Sequence, residues 1–130
     1  MRAMSSYEEG TVYYRLLDDG TAEPTQKMQD VVDSMGWVLD RSFVGWIDIV
    51  TFFLGYDASG GREEPILWET AMEFAGQNTA LARYSEAEVA QDGHRRLSIW
   101  AHRYQRKIYS GWCNELSVLA ALEDDYESDE

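Results

Sequence analysis

Between Trp37 and Tyr84 the apolar residues recur at every second position, and from Ser85 onward they recur at helical spacing. This change of period constrains the fold more than any other feature. A period of two fills one face of a strand, whereas a period near 3.6 fills one stripe of a helix. The segments Trp37 to Phe43 and Trp46 to Gly55 read as a hairpin turning at Val44 and Gly45. In the second strand Trp46, Val50, Phe52 and Leu54 alternate with Ile47, Ile49 and Phe53. Apolar residues on both faces predict a central strand covered on both sides. Ile66 to Phe74 alternates more cleanly: Ile66, Trp68, Thr70, Met72 and Phe74 share one face, and Leu67, Glu69, Ala71 and Glu73 the other. Thr79 to Tyr84 reads as a returning strand after Gly76, Gln77 and Asn78.

Ser85 with Glu88 then matches the serine-x-x-glutamate capping box, which predicts a helix start. At helical spacing Ala90, Gly93, Leu97, Trp100, Ala101, Tyr104 and Ile108 share one side, while Arg95, Arg96, His102, Arg103, Arg106 and Lys107 share another. Gly111 is placed to break this helix, and Trp112, Leu116, Leu119 and Ala120 predict a second, short C-terminal one. Ahead of the hairpin, Thr11 to Leu17 reads as a strand closed by Asp18, Asp19 and Gly20. Pro24 suits a first helical turn, and Met28, Val31, Val32 and Met35 predict a short helix over 24–35, ended by Gly36. Asp57 to Pro65 has the composition of a loop. The expectation is an α+β fold: an antiparallel sheet of four to five strands, packed by one long amphipathic helix. One domain is expected over 1–122, followed by an acidic, disordered tail over 123–130.

The 130 residues carry 45% hydrophobic side chains and five tryptophans, enough to bury a core despite a net charge of −13. Cys113 is the single cysteine, no disulfide can form within the chain, and the first ten residues lack the apolar core of a signal peptide. These features predict a cytoplasmic, soluble protein, with no apolar run near the roughly 20 residues of a membrane helix. The charge is unevenly placed. Residues 83–107 hold six basic and three acidic side chains, whereas residues 108–130 hold seven acidic and no basic ones. The overall sign disfavours direct binding to nucleic acid or an anionic membrane and favours a partner with a basic surface.

Several chemical readings can be tested on spacing. His94 and His102 lie about 12 Å apart along a helix and about 80° around it, too far to share a metal ion. His94 reads as a hydrogen-bonded histidine at the edge of the packed stripe. Glu69 and Glu73 are about 13 Å apart on a strand, beyond the about 5 to 9.5 Å of a glycosidase pair. Cys113 has no nucleophile signature around it, and Gly60-Gly61 lacks the lysine of a phosphate loop. No catalytic residue, metal site or cofactor is expected. An enzyme using His94 with Asp57 or Glu69 would require those side chains to converge in one pocket.

A set of short motifs runs through the middle of the chain: Val44-Gly45; Thr51 with Leu54, Gly55 and Asp57; Glu69-Thr70; Arg83-Tyr84; and Gly93-His94. In these, over about residues 37–94, the sequence resembles a family of small proteins of unknown function from phages and actinobacterial genomes. The resemblance implies a phage or prophage origin and a hairpin, strand, strand, helix core; it brings no activity. The chain departs from the family pattern at Ala58, where a histidine usually follows the aspartate, and in its longer C-terminal segment.

Charge and resemblance together give the functional expectation. The chain is read as a non-enzymatic protein that binds, and inhibits, a host defence or nucleic-acid-handling protein through its acidic surface, as a mimic of DNA phosphates. The candidate contacts are Glu63, Glu64, Glu69, Glu73, Glu123, Asp124 and Asp125, the basic residues Arg95, Arg103 and Arg106, and Trp46 or Trp112 as anchors. The alternative is a phage assembly component that forms a homo-oligomer through its aromatic strands and C-terminal helix.

Overall fold

A computed structural model describes residues 10–61 and 64–110. The fold is α+β. Four strands, β3 (Val38–Val44), β4 (Ile47–Phe53), β5 (Trp68–Phe74) and β6 (Gln77–Tyr84), form an antiparallel sheet in chain order. Helix α2 (Ala87–Arg103) lies on one face of it, followed by the single turn pair α3 (Gln105–Tyr109). A second sheet of two strands, β1 (Tyr14–Leu16) and β2 (Ala22–Pro24), and helix α1 (Met28–Ser34) complete the described chain.

The alternation in β4 sorts its side chains. Ile47, Ile49, Thr51 and Phe53 are fully buried beneath the helix layer. Register places Met72, Thr70 and Trp68 of β5 beside Ile49, Thr51 and Phe53. Leu97, Trp100, Ala101 and Ile108 close over Ile47, Ile49 and Met72 at one end, and Ala90 closes over Phe53, Trp68 and Tyr84 at the other. This apolar contact between one sheet face and one helix stripe is the dominant stabilising term, at about 25 cal/mol per Å² of apolar surface buried.

The helix expected to run to Gly111 breaks at Tyr104, and the last strand starts at Gln77 and not at Thr79; four further differences concern turns, packing and caps. First, Trp46 belongs to the turn, not to β4. The hairpin reverses at Gly45 and Trp46, with Gly45 at φ +61°, a left-handed value that suits glycine. Second, β4 is covered on one side only, since Asp48, Val50 and Phe52 are half-buried and belong to neither core cluster. Third, Pro24 ends strand β2 opposite Tyr14, and helix α1 begins only at Met28. An edge position asks for no backbone donor, so proline is accepted there. Fourth, the capping box does not form. Glu86 is the extended N-cap residue of α2 and makes no side-chain cap bond. The expected tail and C-terminal helix lie outside the described residues.

Glycine allows the closest approach in the core. A Cβ on Gly93 would overlap the Tyr84 ring, which packs against the helix backbone there. Gly93→Ala should therefore lower stability by about 1–3 kcal/mol through overpacking, despite alanine's better helix propensity. Urea denaturation of the two proteins checks this, and an unchanged or raised midpoint would show that Tyr84 moves aside freely.

Candidate functional site

Between α2 and the sheet, one polar side chain from each of the four strands joins a hydrogen-bonded row that ends on a buried histidine and the serine beyond it. His94 is 2% exposed. Its Nε2 lies 2.8 Å from Ser42 Oγ of β3, and its Nδ1 lies 2.8 Å from Thr51 Oγ1 of β4. Thr51 Oγ1 is 2.5 Å from Thr70 Oγ1 of β5, which is 2.9 Å from Tyr84 Oη of β6. A neutral imidazole has one donor and one acceptor nitrogen, so the row is satisfied in either direction. Either Nδ1–H donates to Thr51, which donates on towards Tyr84, or Tyr84 donates towards Thr51 and Nε2–H donates to Ser42.

Burial lowers the His94 pKa from its ordinary value of 6.5, and the Asp40 carboxylate, 3.9 Å from Nε2, pulls in the opposite direction. Burial wins because Asp40 is itself 40% exposed to water. Both ring nitrogens are occupied by hydroxyls within a closed layer, so the ring is a structural centre and not an accessible base.

The residues of the alternative enzyme reading do not converge. Asp57 Oδ1 accepts from the backbone N–H of Ser59 and of Ile66, 2.8 Å and 3.0 Å away, and so ties the loop ends. Glu69 lies on the opposite sheet face from His94, paired with Arg83 at 2.9 Å.

That opposite face is the second candidate site. It presents Val38, Arg41, Phe43, Val50, Phe52 and Ala71 in register across three strands. Asp48 and Glu73 stand opposite each other on it, and Arg41 reaches over to clasp Asp48 with two hydrogen bonds, 3.0 Å and 2.6 Å. Arg41 also stacks on the Phe43 ring, 5.2 Å from its centroid. The charges of the face are thus largely paired within it. Its apolar residues are not covered to the same degree: Phe43 is 67% exposed, and Trp46 at the adjoining turn is 82% exposed.

The expected contact residues are separated by the sheet. Glu69 and Glu73 share the open face, whereas Arg95, Arg103 and Arg106 are exposed on the helix layer behind it. Glu64 is exposed in the loop before β5. Glu63, Glu123, Asp124, Asp125, Trp112 and Cys113 lie outside the described residues. Arg95 and Arg96 both reach Asp92 of their own helix, at 3.0 Å and 3.1 Å, and these two hydrogen bonds hold the Asp92 carboxyl below the ordinary range. That part of the basic stripe is met locally, at i, i+3 and i, i+4 spacing.

No protein-family model, curated protein or solved structure matches the chain. Some of the residues in the short sequence motifs meet in the structure. Thr51, Thr70, Tyr84 and His94 are the buried polar row, Gly93 admits Tyr84 to it, and Glu69 and Arg83 pair on the other face. The row was missed as a unit in the sequence, although one signal was present: Thr51 and Thr70 both fall on inward positions of apolar strands. Among the described residues, no helix is long and apolar enough to cross a membrane, and no group of three or more His, Cys, Asp or Glu could hold a metal ion.

The buried ring makes stability depend on pH in a defined direction. Its folded pKa is lowered, so the unfolded chain binds the proton more readily, and stability is complete above about 6.5 and drains away as pH falls below it. His94→Gln should cost about 1–3 kcal/mol at pH 8 by leaving hydroxyls poorly matched, and should flatten the decline between pH 6.5 and 5. Denaturation midpoints across that range test this; an equally steep decline in the variant would place the titration elsewhere.

Proposed function

We propose that this chain is a non-enzymatic binding protein of phage or prophage origin, which holds and inhibits a host protein with a basic surface through strand β3 and the turn that follows it. The observation that carries this reading is the concentration of exposed apolar side chains there. Val38 and Phe43 of an edge strand and Trp46 of the turn after it are 44%, 67% and 82% exposed, and Ser42 ties that strand to the polar row beneath. Exposed patches of this kind on a small domain serve recognition, and tryptophan is the residue type most often found as an anchor. The acid excess supports a basic partner, since residues 108–130 add seven carboxylates and no basic group. A mimic of phosphate rows built on Glu69 and Glu73 has less support, because Arg83 holds Glu69.

A second reading, assembly of copies of the chain, is favoured by one feature. Strand β3 is the outermost of its sheet, and an edge strand can pair with another chain. A monomer by light scattering at high protein concentration would remove it.

The first reading is tested with a photo-crosslinking residue at position 46 and, as control, at position 89 on the exposed side of α2. Position 46 should yield an adduct with a basic, nucleic-acid-handling host protein at low salt, weakened at high salt and absent from position 89. Equal adducts from both positions, or an acidic partner, would overturn it.

A further inference from the structure

We propose that β3 takes its host partner as an added strand: an extended segment with lysine or arginine at every second position pairs with the outer edge of β3 and sets its basic side chains in the groove between β3 and α2. This mode of binding rests on the function proposed above and gives the partner a form. Strand β3 is outermost in its sheet, with β4 on one side and no described strand on the other. Backbone groups alternate between the two sides of a strand, so one bond fixes the phase. Phe53 N–H donates to the Trp37 carbonyl at 2.9 Å, hence Phe53, Thr51, Ile49 and Ile47 turn their backbone bonds towards β3. Their register partners Asp40, Ser42 and Val44 turn inward to meet them, which leaves Arg41 and Phe43 facing outward. The Arg41 N–H is met by Asp40 Oδ1 at 2.8 Å. The Phe43 N–H and the two carbonyls meet no backbone group of the described residues, and such groups are what an edge strand offers to an incoming one.

Beside that edge lies a groove of about 620 Å³, lined by Leu39 and Asp40 of β3 and by Ala87, Glu88, Gln91 and Asp92 of α2. Gln91 Nε2 donates to Asp40 Oδ2 at 2.9 Å, which ties the helix to the strand edge. Side chains of an added strand alternate in register with those of β3. A residue opposite Ser42 or Asp40 turns to the helix side. There Asp40 and Glu88 supply negative charge, and Arg95, which also lines the groove, is held by Asp92. A residue opposite Arg41 or Phe43 turns to the other side. There Arg41 already holds Asp48, and the exposed Phe43 ring suits an apolar side chain.

The two sides together select the occupant. Basic residues with apolar ones between them match both, whereas a continuous basic run brings cations against Arg41. A second copy of β3 fits poorly. The residues it would turn to the groove side are Asp40 and Ser42, which adds a carboxylate to those of Asp40 and Glu88 already there. Exposed Trp46, in the turn at the end of the edge, is left to anchor the body of the partner beyond the ladder.

The probe is a synthetic peptide, acetyl-Thr-Lys-Val-Lys-Val-Lys-Thr-amide, added at low salt to the isotopically labelled full chain. At about ten times its dissociation constant it should slow hydrogen exchange of the Phe43 amide about tenfold and leave the Ser42 amide, already turned to β4, as it was. The same peptide N-methylated throughout keeps its charges but loses its ladder donors, and should bind at least about tenfold more weakly. Asp40→Asn with Glu88→Gln, which keeps the acceptor for Gln91, should weaken the unmodified peptide roughly tenfold. Binding with the Phe43 amide still exchanging freely, equal binding of the methylated peptide, or no binding would each overturn the proposal. So would slowing of Phe43 exchange that rises with protein concentration in the absence of peptide, which assigns the edge to a second copy. A host adduct at position 46 from a protein that leaves Phe43 exchanging freely would keep the binding function and remove the added strand. Protection of Phe43 by the peptide, with no host adduct, would do the reverse.

Discussion

The row of hydrogen bonds from Ser42 through His94, Thr51 and Thr70 to Tyr84 is the constraint around which the domain is arranged. Apolar contact alone would let a helix slide or rotate on a sheet at little cost, because it has no direction. A histidine with both nitrogens engaged does have direction, and each hydroxyl in the row would be costly to bury unpaired. The row therefore sets where α2 sits along the strands, and the smallness of Gly93 lets Tyr84 close it. Apolar clusters on either side then gain their full contact.

Because the row occupies one face, the two sides of the sheet have different physics. The helix side is closed, and among its described buried polar side chains the indole N–H of Trp100 alone lacks a hydrogen-bond partner. The other side pairs most of its own charges, through Arg41 with Asp48 and Arg83 with Glu69, and leaves its aromatic rim in water. The net charge is thus unevenly met: Asp48 and Glu69 are balanced across strands, Asp92 meets two arginines along the helix, and residues 108–130 hold seven acidic and no basic side chains.

Much of the fold was legible in the sequence because burial here is one-sided. Trp68, Thr70 and Met72 alternate with polar neighbours, and Ala90, Leu97, Trp100 and Ala101 keep helical spacing; both patterns record a single packed face. Where the reading failed, a local preference competed with tertiary context. Pro24 fits a helix start but was taken as a strand end, and Ser85 and Glu88 fit a cap that Glu86 displaced. Val50 and Phe52 suggested a second covered face because hydrophobicity alone cannot tell a buried partner from a missing one. The polar row was harder still, since its members lie on four strands and a helix and only pairing register brings them together.

The grip of Tyr109 on the turn at Gly45 and Trp46 means that the last described helix holds the first hairpin of the main sheet. As a ribosome makes this protein, Ile47, Ile49 and Met72 emerge well before the helical residues that cover them. The sheet can pair early, but its greasy side stays bare until residues 87–109 have cleared the exit tunnel. Synthesis thus imposes a waiting period in which the nascent chain is open to chaperones and to its neighbours, and closing it is the work of a late segment.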